Sequence, residues 1–154
     1  MILQAEPLNA AAFSPFGAVI GADPATAIEI NEGFTTRFHR LAAADCDGKT
    51  ILSIFRGRVR PLQVLMLERH PLGSQAFMPL GGHPWLTVVA LSPEPAACRL
   101  FACRGDQGLQ IAKGVWHHPL LVLEGAQDFL VVDRDSDGDN LEEVFFENPV
   151  SLAV

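Results

Sequence analysis

The stretch Val64-Leu-Met-Leu-Glu-Arg-His-Pro-Leu-Gly-Ser-Gln-Ala-Phe-Met-Pro79 begins as a short apolar run and turns polar at Glu68 before meeting Pro71 and Gly73. Four apolar residues followed by Pro and Gly are strand length with turn chemistry, not a helix that needs ten or more residues. In an extended chain side chains alternate, so Glu68 and His70 share one face with Met66, and Arg69 takes the other. Ionisable residues stand here where a plain strand would carry apolar ones.

The same grain runs outward in both directions. Apolar runs recur at Phe16–Ile20, Thr50–Phe55, Leu86–Leu91, Leu100–Cys103, Leu120–Leu123, Phe129–Val132 and Val144–Phe146, separated by Gly, Pro, Asp or Asn. No long segment repeats at period 3.6, so helices are expected to be short and peripheral. The best candidate is Asn9–Phe13, where Asn9 would cap Ala10–Ala12 before Pro15 and Gly17 end it. Many short strands with 13 Gly and 11 Pro make a mostly β sandwich or barrel. No linker or repeat divides the 154 residues, and residues 1–154 read as a single domain.

Composition narrows the function. Hydrophobic residues are 49% and charged residues 19%, which favours a packed core over disorder. The net charge of −7, without a dense Lys/Arg cluster, argues against nucleic acid and anionic membrane surfaces. The start Met-Ile-Leu-Gln-Ala-Glu-Pro lacks the basic and apolar regions of a secretory leader, and no apolar run reaches about 18 residues, so a cytoplasmic protein is expected. Cys46, Cys98 and Cys103 fit neither a zinc ribbon nor a redox pair and read as reduced, packed thiols. The acidic run Asp133–Glu143 imitates a calcium loop, but Val144 stands where a bidentate Glu is needed, and it reads as a solvated turn.

A second polar window, Lys113-Gly-Val-Trp-His-His-Pro119, lies some forty residues after the first. Together the two resemble the cupin motifs in altered form: Glu68-x-His70 followed by Gln75 and Gly82, then Gly114-x-x-His117. The residues resemble more closely those of the ureidoglycolate lyases, in Glu68–Pro79 and Gly114–Pro119 and also in Ile30-Asn31-x-Gly33, Arg37-x-His39, Ser53-x-x-Arg56 and Phe129-Leu-x-x-Asp133-Arg134. The resemblance runs from about residue 3 to residue 145; the tail after Asn148 matches nothing in it.

That resemblance implies a cupin-like double-stranded β-helix barrel, a homodimer, and cleavage of ureidoglycolate to glyoxylate and urea in allantoin and purine breakdown. Splitting this substrate is the collapse of a carbinolamine: a base must take the hydroxyl proton, an acid must protonate the departing nitrogen, and a cation must hold the carboxylate. Histidine titrates in the right range for the proton steps, and arginine suits the carboxylate. The candidates are His70, His117, Lys113 and Gln75 for catalysis, and Asn31, Ser53, Arg56 and Arg69 for substrate, with Arg69 alternatively an ion-pair partner. Glu68, His70, Gln75 and His117 occupy the four cupin ligand positions; they would hold a divalent metal such as nickel, or act without one as acid–base and hydrogen-bonding groups. An amidohydrolase releasing ammonia and a non-catalytic carboxylate-binding protein remain as alternatives.

Overall fold

A computed structural model describes residues 1–154; strands account for 53% of the chain and helices for 8%. The strands are β1 (Ile2–Pro7), β2 (Gly17–Ile20), β3 (Ala27–Ile30), β4 (Thr35–Phe38), β5 (Thr50–Arg58), β6 (Gln63–Arg69) and β7 (Gln75–Pro79). They continue as β8 (Trp85–Ala90), β9 (Arg99–Cys103), β10 (Gly108–Ile111), β11 (Trp116–His117), β12 (Leu121–Val122), β13 (Ala126–Arg134) and β14 (Glu142–Ala153). All eight apolar runs of the sequence lie within or across these strands. The one α-helix, α1 (Ala10–Phe13), begins as expected, with Asn9 Oδ1 accepting from Ala12 N–H at 2.9 Å.

Six strands close on themselves in the order β11-β6-β14-β1-β9-β8, with β8 pairing back to β11. This is the mixed β-barrel: β1 runs parallel to both β14 and β9, and the other pairs are antiparallel. A five-stranded sheet, β2-β10-β7-β13-β5, packs beside it, and β3 and β4 form a separate hairpin. The C-terminal tail is part of the barrel, since Ser151 pairs with Ile2 and Val150 with Val64. Register shifts between Phe145 and Val150, where Pro149 cannot donate to a ladder.

Two apolar clusters fill the fold, and β8 divides them. Every residue of β8 is buried; Trp85 and Val89 join one cluster, whereas Leu86, Val88 and Ala90 join the other. A strand buried on both faces reads as a continuous apolar run, which is how Leu86–Leu91 appears in the sequence. The first cluster is aromatic. Phe13 from α1 meets Phe101 edge-on at 5.4 Å between ring centroids, and Trp85 meets Phe129 at 5.1 Å. The Trp85 indole N–H donates to the Gln107 carbonyl at 3.0 Å, so the buried ring leaves no donor unsatisfied. Trp116 packs in the second cluster.

All three cysteines are unpaired, with Cys98 and Cys103 buried. Burial pushes the Cys98 thiol up to about 11 and that of Cys103 up as well, so both behave as apolar groups. No helix is long and apolar enough to cross a membrane.

Phe101 is fully buried at the meeting of α1 and the barrel. Phe101→Ala should cost about 3–5 kcal/mol of unfolding free energy, whereas truncating the exposed Leu91 should change it by less than about 0.5 kcal/mol. Urea melts of the two variants measure the difference; equal losses would contradict this placement of the core.

Candidate active site

Barrel closure assembles the site. The pairing of β11 with β6 sets His117 directly opposite Glu68, and its pairing with β8 sets His117 opposite Val89. Directly opposed residues on one face of an antiparallel pair bring their side chains together. His70, two residues past Glu68, emerges on the same face, so the alternation read from the sequence holds. Glu68, His70 and His117 each offer a ligand atom, and these atoms lie within 4.8 Å of one another.

The tautomers follow from the neighbours. His70 Nδ1 lies 2.8 Å from the Asn140 carbonyl and His117 Nδ1 lies 3.1 Å from the Val115 carbonyl. A carbonyl only accepts, so each Nδ1 carries the proton and each Nε2 presents a lone pair. Both Nε2 atoms are buried without a hydrogen-bond partner. They face Glu68 Oε1 at 3.9 Å from His70 and 3.5 Å from His117, both too long for a good hydrogen bond. Three acceptors thus converge with no donor between them. Burial alone would raise the Glu68 carboxyl, but a proton that His117 Nε2 takes up and shares with it, with smaller contributions from positive charge on His70 and His118, outweighs burial and keeps the group low.

A cavity of about 450 Å³ opens onto this cluster. Its apolar wall is Phe55, Phe77, Trp85 and Ile111; Glu68, Gln75, Thr87, His117 and His118 supply polar atoms, and Arg56, Arg58 and Arg60 line it as cations. His70 does not line it. Gln75 Nε2 donates to Asp133 Oδ2 at 3.1 Å, which leaves Oε1 as its free acceptor.

The other sequence candidates lie elsewhere or are already engaged. Arg56 reaches the cavity but forms a two-point ion pair with Asp128 at 2.8 and 3.0 Å. The Arg69 guanidinium pairs with Glu142 at 2.6 Å and lies over the Trp116 ring at 4.8 Å, the ion-pair role that alternation allowed. Lys113 bridges Asp45 at 3.2 Å and Asp47 at 3.1 Å. Ser53 pairs opposite Val131 in the β5–β13 ladder. Asn31 sits at the exposed turn of the β3–β4 hairpin with φ 52°, its amide donating to Thr35 Oγ1 at 3.2 Å. None of Ser53, Asn31, Arg69 and Lys113 lines the cavity.

An extended chain would turn His118 away from His117. The strand ends at His117, however, and the chain bends so that both imidazoles face the cavity. His118 Nδ1 meets the Pro119 carbonyl at 2.7 Å. Arg58, Arg60 and Thr87 were not singled out by sequence.

The ureidoglycolate lyase family profile matches residues 1–153. The chain belongs to the ureidoglycolate lyase family. It is 52% identical over 154 residues to the ureidoglycolate lyase of Rhizobium etli (strain CIAT 652), covering 96% of this chain and 93% of that protein. To the ureidoglycolate lyase of Agrobacterium fabrum (strain C58) it is 48% identical over 158 residues, covering 98% and 95%. To that of Brucella ovis it is 49% identical over 153 residues, covering 95% and 90%. In this family member, Glu68, Gln75 and His117 line one cavity, and His70 joins Glu68 and His117 in a cluster whose ligand atoms lie within 4.8 Å of one another.

Burial pushes the His118 imidazole down to about 4, against a smaller upward effect of the Pro119 carbonyl and with a further lowering by the Arg60 charge. An unfolded histidine takes up its proton near pH 6.5, so the neutral buried ring stabilises the fold fully above that pH and loses the effect as pH falls towards 4. Between about pH 6.5 and pH 5 the native protein should lose up to about 2 kcal/mol more than a His118→Gln variant. Denaturant melts across that range measure it; parallel curves would contradict a neutral buried His118.

Proposed function

We propose that the protein cleaves ureidoglycolate to glyoxylate and urea, with His117 and Glu68 as the proton-transfer pair. The observation that carries this reading is the convergence of unpartnered imidazole nitrogens on a carboxylate at the wall of a cavity, in a chain of this family. The reaction needs no water and no net proton. As the substrate hydroxyl gives up its proton, its oxygen becomes the aldehyde carbonyl, the carbon–nitrogen bond breaks, and the bonding electrons leave on the urea nitrogen, which takes a proton. A base that receives the first proton and an acid that delivers the second can be one relay. The His117 Nε2 lone pair suits the base, and Glu68, 3.5 Å away, exchanges the proton with it once the two close to hydrogen-bond distance in the substrate complex. His70, held by the Asn140 carbonyl, flanks Glu68 from behind.

The donor set also fits a divalent ion such as nickel, because two neutral imidazoles and a carboxylate, each imidazole oriented by a backbone carbonyl, are a first-row metal's preferred company. Glu68, His70 and His117 would hold it, with Gln75 Oε1 as the remaining cupin position; it would supply Lewis-acid polarisation of a substrate oxygen.

The amidohydrolase alternative needs a positioned water and releases ammonia, and nothing in the site favours it over the waterless relay. Purified protein given ureidoglycolate should form glyoxylate and urea in equal amounts, above the spontaneous rate. His117→Ala should lower turnover by roughly 10²–10⁴-fold without loss of folded protein by thermal melt. Ammonia as the nitrogen product would move the chain to the hydrolase class, and no acceleration would make it a binding protein.

We further propose a cytoplasmic homodimer acting in allantoin and purine breakdown. The dimer is supported by large apolar side chains left in solvent on the five-stranded sheet and the hairpin: Leu52 is 72% exposed, Ile54 56% and Phe34 88%. Light scattering should return twice the 16.7 kDa chain mass, and a monomeric mass at micromolar concentration would contradict it. Cell fractionation of the native host tests the compartment, where recovery with membranes or outside the cell would contradict it. Growth of a deletion strain on allantoin as nitrogen source tests the pathway, and growth equal to the parent's would contradict it.

A further inference from the structure

We propose that Arg60 anchors the substrate carboxylate and that His118 reads the opposite end of the molecule, its Nε2 accepting from a ureido N–H. The assignment rests on the preceding reading for the substrate's identity, and on the cavity's own polarity for the rest.

The anchor follows from which cations are free. Arg69 and Lys113 are paired away from the cavity, and Arg56 is clamped by Asp128. Arg58 and Arg60 line the cavity, and neither forms an ion pair or a side-chain hydrogen bond. On β5, Phe55 packs against Phe77, and a side chain at Gly57 would strike Val122 and Leu120, so odd-numbered positions face inward. Arg58 therefore shares the outward face with Arg56. Arg60 lies beyond the strand end and lines the cavity, and a guanidinium with all its donors free suits a carboxylate.

The other end follows from hydrogen-bond accounting. The Pro119 carbonyl can only accept, so His118 Nδ1 carries the proton and Nε2 offers a lone pair. Gln75 gives its N–H to Asp133 and keeps its carbonyl oxygen free. Two neutral acceptors repel a carboxylate and suit N–H groups, of which a ureido substituent has three. A ligand that keeps the carboxylate but replaces the ureido group with an acceptor leaves those atoms unpaired, which is the strong form of rejection.

Glycolate and urea each carry half of the recognised chemistry, so their binding to the full-length protein separates the two roles. With weak binding followed by NMR shift perturbation, Arg60→Ala should weaken glycolate roughly tenfold or more and leave urea as in the native protein; Arg60→Lys should recover part of the loss. In turnover the Arg60→Ala loss should fall on KM and not on kcat, as for binding made equally in ground and transition states. His118→Phe should weaken urea and spare glycolate, with His118→Gln restoring an acceptor and part of the affinity; a thermal melt confirms that each His118 variant is folded. Native glycolate binding by Arg60→Ala, equal weakening of both ligands, or native urea binding by folded His118→Phe would each overturn the assignment. The binding arms need no turnover, so absence of cleavage counts against the lyase reading alone.

Discussion

The mutual repulsion of three converging acceptors, Glu68 Oε1 and the Nε2 atoms of His70 and His117, is the constraint around which this molecule is built. Left to themselves, a carboxylate and two lone pairs would separate or recruit water. They are held together by strand register on one side and by two backbone carbonyls, of Val115 and Asn140, on the other. Those carbonyls fix the neutral imidazole tautomers, so a proton on Nε2 for Glu68 comes only with an imidazolium. Such a cluster offers three acceptor atoms to a cation or to a proton in transit. That is what a proton relay or a metal centre requires, and the fold maintains it before any substrate enters.

The same pairings serve architecture and chemistry. β11 is only two residues long, yet it joins β6 to β8 and closes the six-stranded ring, and its second residue is His117. A change that opened the ring at β11 would lose the opposition of His117 and Glu68 at once. The support for His70 comes from far along the chain: Asn140 also accepts from Leu72 N–H through its side chain at 2.8 Å, tying the loop before β14 to the turn after His70. Charge is distributed with similar economy. The chain carries a net −7, but Arg60 lines the cavity without a carboxylate partner, so an anionic substrate meets positive charge there.

Much of this was legible in the sequence, and what was not has identifiable causes. Apolar runs marked eight strands because burial on one or both faces writes itself into composition. β7 was hidden because Gln75-Ala-Phe-Met-Pro79 places a cavity-lining Gln and a Pro at its ends, and β14 looked short because Pro149 interrupts the apolar pattern at a bulge. Alternation along β6 correctly separated Glu68 and His70 from Arg69. It does not extend to His118, because β11 ends at His117 and both imidazoles line the cavity. The cation assignments needed partners that spacing cannot show: Asp128 lies 72 residues from Arg56, and Asp47 lies 66 from Lys113. A free cation is defined by the absence of such partners, which is why Arg60 carried no signal in the sequence.

The most direct test of the converging acceptors is nitrogen NMR of the two imidazoles in protein labelled at histidine, at neutral pH and free of added metal. The nitrogen shifts and their proton couplings distinguish a protonated ring nitrogen from one with a lone pair. The account expects protonated Nδ1 and bare Nε2 for both His70 and His117, with the Nε2 signals moving selectively when a divalent ion is added or when Glu68→Gln replaces the carboxylate. A proton resident on Nε2 of either ring, with Nδ1 bare, would contradict it.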